Sequence, residues 1–456
     1  MAEGHRNPDG GRQVTAGLHR VSSREAGRPP RPASRLRATS LRLAAAGVVV
    51  SLLTTACGGG TPTASATSPV ASSSATARPS AGGPPTPAPT DDQSLTPVRV
   101  QLRWTLGAEF AGYVAAIEQG YFESEGLDVT LLEGGPDVAP EVAGSALDGP
   151  EFTITWVPRV LVARAASTTD LVDIGQILHR SSTLAMAFRD QAVTEPVDFK
   201  GKKVGVLPGG DRLEVTTAVS KAGVDLERDT QLVDLGSGVD PLLTGAVDVA
   251  QVTINDTYAR VLEATDRRTG KPYEVTDFDV INFADEGTAM LQDAVFARAS
   301  WLSGQGHEAT AIAFLKASAL GWVYCRDHPS DCVDSVIAAG ETIGAEPGAS
   351  SSPPPPTQSP SVSPETRLHH GHETWSMNEV NPLVWPSPLG LGVMAPDEWQ
   401  HTVSVLMAAG AIPGQPSEAA YRTDLMETAL EGLGSDLDTK GDAFVKGTVE
   451  IEPEGG

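Results

Sequence analysis

Basic side chains are in short supply. Thirty-three Lys and Arg face 58 Asp and Glu in 456 residues, a net charge of −25, which excludes a nucleic-acid binder, because phosphate affinity needs clustered cations. Aromatic residues make up only 5% of the chain and cysteines number three. With no His at finger spacing beside Cys325 and Cys332, a structural zinc site is excluded as well. There is no Walker loop, and Glu133-Gly-Gly-Pro-Asp137 has the wrong glycine spacing for a dinucleotide fingerprint. His307-Glu308 lacks a zincin partner, since Ala311 stands where the second His would be. Glycine and proline, by contrast, are plentiful at 47 and 35, more than one fold needs, so part of the chain is expected to be linker.

Charge and composition divide the chain. Residues 1–56 hold nine Arg, no Lys and three acidic residues, a net +6 that leaves −31 for the rest. Arg35, Arg37 and Arg42 precede an apolar run, Leu43 to Leu53, followed by Thr54-Thr55-Ala56-Cys57. As a helix such a run rises about 16 Å, too little to span a bilayer. A basic region, a short apolar core and small residues describe a secretory signal peptide over residues 1–56. The cysteine after them resembles a bacterial lipobox, with Cys57 as the lipidated N-terminus of the mature protein; Thr54 departs from the usual Leu. Of residues 58–96, 33 are Gly, Pro, Ser, Thr or Ala, a composition that cannot offset its ordering entropy, so a flexible tether is expected there. A second low-complexity tract, about 346–366, contains Pro353 to Pro356 and reads as a disordered insert. Outside the cytoplasm, Cys325 and Cys332 form an even pair across a turn-forming stretch and are expected to be disulfide-bonded.

From Val98 onward the pattern alternates between strand and helix. Val98, Val100 and Leu102 alternate with polar residues; Phe110, Tyr113, Val114 and Ile117 fall at helical spacing, Gly120 ends that helix, and Leu127, Val129 and Leu131 start the next strand. Further strands are expected at 151–155, 203–207 and 247–254, each leading into a helix. Ligands of open α/β sheets sit beyond the carboxyl ends of strands, where helix N-termini leave unpaired N–H groups. The candidate loops are therefore 104–113, 155–159, 208–212 and 253–258.

An ordered series of segments carries a resemblance: Val100-Gln-Leu-Arg-Trp104, Glu109-Phe-Ala-Gly-Tyr113, Gln119-Gly-Tyr-Phe122, Glu125-Gly-Leu-Asp-Val129, Lys200-Gly-Lys-Lys-Val-Gly-Val206, Gly287-Thr-Ala-Met-Leu-Gln-Asp293, Trp375-Ser-Met-Asn-Glu-Val-Asn381 and Trp385-Pro-Ser-Pro388. Together they resemble the thiamine-pyrimidine-precursor (SsuA/THI5-like) branch of ABC-importer solute-binding proteins. The resemblance implies an α/β, type II periplasmic-binding-protein fold, with two α/β lobes, a ligand cleft and a two-crossing hinge. Placed on this chain, lobe one covers 97–183 and 288–456 and lobe two covers 184–287. It also implies a monomeric, extracytoplasmic lipoprotein that hands a small heteroaromatic ligand to an ABC permease by lobe closure, with a membrane contact through lipid alone.

Within the candidate loops, Trp104 and Trp156 stand at adjacent strand ends, with Tyr113 and Tyr258 on the helices that follow, and planar faces suit a heteroaromatic ring. Glu109 either serves the helix start or accepts from a ligand amine. Asn255 and Thr155 offer hydrogen bonds, and Gln176 and Gln292 are softer candidates. Gly209, Gly210 and Asp211 are explained by Asp211 as a helix cap. His369-His370-Gly371-His372 follows the proline-rich tract and reads as a solvated loop. No cofactor and no metal ligand is expected.

Catalysis is the competing class, because the fungal thiamine pyrimidine synthase shares the family. That enzyme uses a Lys and a His four residues apart, and the corresponding positions here are Thr155 and Arg159, neither of which can form a Schiff base or serve as the reactant imidazole. The chain is therefore read as a binder. Its expected cargo is a thiamine pyrimidine precursor such as hydroxymethylpyrimidine or formylaminopyrimidine, then riboflavin, then a sulfonate such as taurine. For an anion only Arg103, Arg159 and Arg212 stand near the loops, and the acidic mature chain disfavours long-range anion attraction.

Overall fold

The computed structural model describes residues 94–236, 238–343 and 368–455. The signal segment 1–56, Cys57, most of the tether and the insert 346–366 lie outside them. Two five-stranded sheets organise the described chain. Both belong to one unit, Thr86–Gly456.

The first sheet starts with β1 (Thr96–Gln101), whose Val98 and Val100 point inward while Arg99 stays exposed. Helix α1 (Ala111–Glu118) ends at Gly120, where φ is +69°, and α2 (Tyr121–Ser124) follows. Then come β2 (Leu127–Leu132), α3 (Pro140–Ser145), β3 (Phe152–Trp156), α4 (Val157–Ala165) and β4 (Leu171–Gln176). Strands β3 and β4 are buried throughout, as expected of strands covered on both faces.

After a first crossing, the second sheet holds β5 (Thr183–Phe188), β6 (Lys203–Val206), α5 (Leu213–Lys221), β7 (Gln231–Asp234), α6 (Asp240–Leu243), β8 (Val249–Thr253) and α7 (Thr257–Glu263). A small hairpin, β9 (Thr265–Asp266) with β10 (Lys271–Pro272), leads to β11 (Phe278–Asn282). The chain then returns through 283–292 to β12 (Asp293–Arg298), which lies antiparallel between β3 and β4. The strand orders are β2-β1-β3-β12-β4 and β11-β5-β8-β6-β7. Two sheets joined by two crossings make the expected type II periplasmic-binding-protein architecture.

Helices α8 (Ala299–Leu302), α9 (His307–Asp327), α10 (Pro329–Ile343), α11 (His370–Val384), α12 (Pro396–Ala408) and α13 (Asp424–Glu431) complete the first lobe. Cys325 and Cys332 are disulfide-bonded, tying the end of α9 to α10. Phe314 of α9 anchors the core, with its ring 4.2 Å from Phe152, 5.2 Å from Phe122 and 6.2 Å from Tyr113. Ile117 of α1 is half exposed, so the apolar stripe of that helix is narrower than its spacing suggests.

The crossings are hydrogen-bonded to one another. Gln292 accepts from Ser182 N (2.8 Å) and Oγ (2.9 Å) and donates to Ser181 and Thr183. Glu214 of α5 accepts from Ser181 Oγ at 2.7 Å and from Met290 N at 2.9 Å, one partner on each crossing. Gln292 thus ties one crossing to the other. Gln176 donates its Nε2 to Leu178 O at 2.7 Å, while its Oε1 is buried without a partner.

Candidate functional site

The strand ends converge on a cluster of charges. Beyond β1, Arg103 is nearly buried and donates to Glu109 Oε1 at 2.9 Å and to Asp293 Oδ1 at 3.3 Å. Its Nη1 lies 4.0 Å from Asp211 Oδ2, on the turn after β6 in the opposite lobe. Arg159, on the first turns of α4, donates to both oxygens of Asp211, at 2.5 and 2.9 Å, and reaches Glu141 at 3.5 Å. Asn255, after β8, donates to Glu109 Oε2 at 3.1 Å. The two lobes therefore meet through Arg103 and Arg159 on Asp211 and through Asn255 on Glu109.

Burial shapes the charges. It lifts the Asp293 carboxyl to about 7 against the opposing pull of Arg103, and lifts Glu109 in the same way. Burial also works against the Arg103 charge, but Glu109, Asp293 and Asp211 outweigh it and hold the guanidinium firmly protonated. Two acceptor atoms remain without partners beside this network, Asp293 Oδ2 and Asn255 Oδ1, and both residues are only 3% exposed. Unpartnered buried acceptors are costly unless something donates to them.

The aromatic candidates divide. The Arg103 guanidinium carbon lies 5.8 Å from the Trp104 ring and 4.7 Å from the Trp156 ring, so both indoles flank the same cation. Tyr113 is placed elsewhere: its ring is 1% exposed and packs against Phe314 and edge-on to Trp322 in the core of lobe one. Tyr113 was a candidate for its planar face, and the apolar stripe of α1 on which it lies buries it. Its hydroxyl has no partner, and burial followed by the field of Asp293 pushes its pKa well above the ordinary phenol value. Thr155 is fully buried in β3 with its Oγ1 unpartnered. Tyr258 faces Trp375 of α11, ring centroids 6.1 Å apart, and belongs to a second contact between the lobes.

Two expectations need correction. Asp211 makes no cap: the turn 209–212 is preceded by Pro208 without a side-chain cap bond, and the carboxylate is taken by Arg159. The His369–His372 segment is no solvated loop. His370 starts α11, and His372 is 4% exposed, with Nδ1 2.7 Å from Glu263 at the end of α7 and Nε2 3.2 Å from Asp256 just before it. Sequence reasoning also passed over Asp293 and Glu373; the latter is buried and accepts from Ala108 N at 2.7 Å. Asp293 closes a quoted motif at a strand start, which was the available signal. Among the described residues no group of three or more His, Cys, Asp or Glu has metal-holding geometry. A groove of about 570 Å3 lined by Arg212, Leu213, Arg228 and Ala411 shares no residue with the charge cluster.

Residues 107–332 match the family described as NMT1/THI5 like. A formylaminopyrimidine-binding protein from Halalkalibacterium halodurans is 25% identical over 252 residues, 54% of this chain and 72% of that protein. A solved structure from Bordetella bronchiseptica RB50 is 16% identical and superposes with a TM-score of 0.53, covering 75% of this chain and 98% of that one. The periplasmic sulfonate-binding protein SsuA from Methylobacillus flagellatus KT is 17% identical with a TM-score of 0.48, over 76% of this chain and 96% of its own.

Proposed function

For a chain whose residues 107–332 match the NMT1/THI5-like family, we propose service as the extracytoplasmic binding protein of an ABC importer, closing its two lobes on an amino-substituted heteroaromatic ring of the thiamine-pyrimidine-precursor class. The observation that carries this reading is the inventory of free groups in the cleft. Asp293 Oδ2 and Asn255 Oδ1 are buried acceptors without donors, and a ring amine supplies N–H donors to such atoms. Both cleft arginines are already committed, Arg103 to Glu109 and Asp293, Arg159 to Asp211 and Glu141. An anion such as a sulfonate would have to displace those carboxylates. Trp104 and Trp156 flank the Arg103 guanidinium that bonds to Asp293, where a planar ring that took the place of the cation would meet an indole face.

Catalysis finds no support at the two positions where the fungal enzyme carries its reactive groups. Thr155 lies buried in its strand and Arg159 is tied to Asp211. We assign membrane attachment to lipidation at Cys57; a Cys57→Ser chain is expected to leave the membrane fraction of expressing cells, and its persistence there would contradict the assignment.

Thermal denaturation of the chain from residue 57 onward, with Cys57 replaced, tests the ligand class against hydroxymethylpyrimidine, formylaminopyrimidine, riboflavin and taurine. A ligand at a hundredfold excess over its Kd adds about 2.7 kcal/mol of stability. A pyrimidine is expected to raise the melting temperature; a rise with taurine alone would reject the reading.

A further inference from the structure

The charge cluster is one of several places where the lobes touch: Leu213 of α5 packs against the core that holds α12, Ile451 packs against the core that holds α7, and α11 of the first lobe lies on α7 of the second. His372 lies between two carboxylates at the ends of α7, Glu263 at 2.7 Å from Nδ1 and Asp256, the residue before the helix, at 3.2 Å from Nε2. One turn along, Trp375 donates its indole N–H to Ile254 O at 2.9 Å, and its ring faces Tyr258. None of these side chains reaches the Glu109–Arg103–Asp293 cluster by a hydrogen bond.

We propose that this contact is a clasp that holds the lobes together in the absence of ligand, with imidazolium His372 as its pin, so that its deprotonation releases α7 from α11 and opens the cleft. An imidazole whose two nitrogens each face a carboxylate satisfies both only when both nitrogens carry protons. The surrounding charges favour that form. Asp256 just before α7 and Glu263 at its end face the ring and Arg260 opposes it; Glu373 of α11 interacts with the His372 charge, and His369 and His370 precede it in sequence. Glu109 stands on the turn 108–110 against α11, Asp334 of α10 meets His370 rather than His372, and the turn 453–455 beside both helices carries Glu454.

Burial alone would lower the His372 pKa, but the hydrogen bonds it donates to Asp256 and Glu263 outweigh burial and raise it to about 9. A folded-state pKa above the ordinary 6.5 makes a contribution that is complete below about pH 6.5 and is lost as the pH rises through about 9. At the acidic limit, burial would raise Asp256, yet Arg260 and His372 hold it at about 2, so its contribution is present above the ordinary carboxylate range and lost only as pH falls through about 2. The clasp is therefore shut across neutral pH and opens toward the alkaline side. It reduces the conformational cost that a ligand must meet on closing the lobes.

The inference rests on the reading of a cleft that closes on ligand, but its test needs no ligand. The indole N–H resonance of Trp375, identified by its loss in Trp375→Phe, reports the bond to Ile254 in the full chain labelled with 15N-tryptophan. In the wild-type protein this resonance is expected to move to the position of a released indole as pH rises through about 9. In Glu263→Gln the transition is expected at least about tenfold lower in proton affinity, that is, about one pH unit earlier. In His372→Gln the released position is expected already at pH 7, with the disulfide-bonded core still folded by circular dichroism. A Trp375 resonance that stays put to pH 10 in folded wild-type protein, or a transition that Glu263→Gln leaves in place, overturns the clasp; if His372→Gln does not fold, these two measurements decide. Absence of any ligand response in the denaturation panel would count against the proposed cargo and leave the clasp standing.

Discussion

Buried carboxyl groups give this protein an unusual relation to pH. Asp173 in β4 is 1% exposed; Gly175 N donates to one of its oxygens at 3.0 Å and the other has no partner, and burial raises its pKa to about 8. Glu214 at the hinge is likewise raised to about 8, chiefly by burial. Each native carboxyl thus keeps a proton that the unfolded chain has released above about pH 4. The native state then binds more protons, so stability falls as pH rises from about 4 to about 8. Asp173→Asn keeps the shape and the Gly175 acceptor without the charge. Its melting temperature is expected to match that of the wild-type protein near pH 4 and to exceed it increasingly toward pH 8; a difference that does not vary with pH would contradict the assignment.

At the scale of elements, α1 and α9 approach closely because glycine faces glycine. A Cβ on Gly321 would collide with Gly112 O and crowd Ala116, and one on Gly112 would enter the Trp322 ring. Gly321→Ala is therefore expected to destabilise the protein by about 1–3 kcal/mol or more, read as a lowered urea midpoint with an unchanged slope; an unchanged midpoint would show that the helices part freely. The alternation of β1, α1 and β2, and the strands 203–206 and 249–253 with their following helices, was legible because each element's own spacing names its buried face. What spacing does not name is the partner on that face. Trp104, Trp156 and Asn255 stood at strand ends and Glu109 at a helix start, so the rule that sites lie beyond strand ends singled them out as candidates. Tyr113 obeyed the helical stripe and went into the core. His372 looked solvated because its carboxylate partners lie at the ends of α7, 109 residues away in the case of Glu263. That Gln292 ties the crossings together was not legible, because the Ser182 it serves lies 110 residues away on the other crossing.

Across the whole molecule, the two sheets, the hydrogen-bonded crossings and the inter-lobe contacts form one device. Glu214 joins α5 to both crossings, and α5 begins directly after the turn that carries Asp211. A ligand drawing on Asp293 and Asn255 thus acts on residues from both lobes, as lobe closure requires. The most direct measurement is a calorimetric titration of hydroxymethylpyrimidine into the wild-type protein and into Asp293→Ala and Asn255→Ala. Saturable one-to-one binding, weakened about tenfold or more in each variant through loss of a buried hydrogen bond, is the expected result. Equal affinity in all three proteins, or heat with taurine and none with the pyrimidine, would contradict the account.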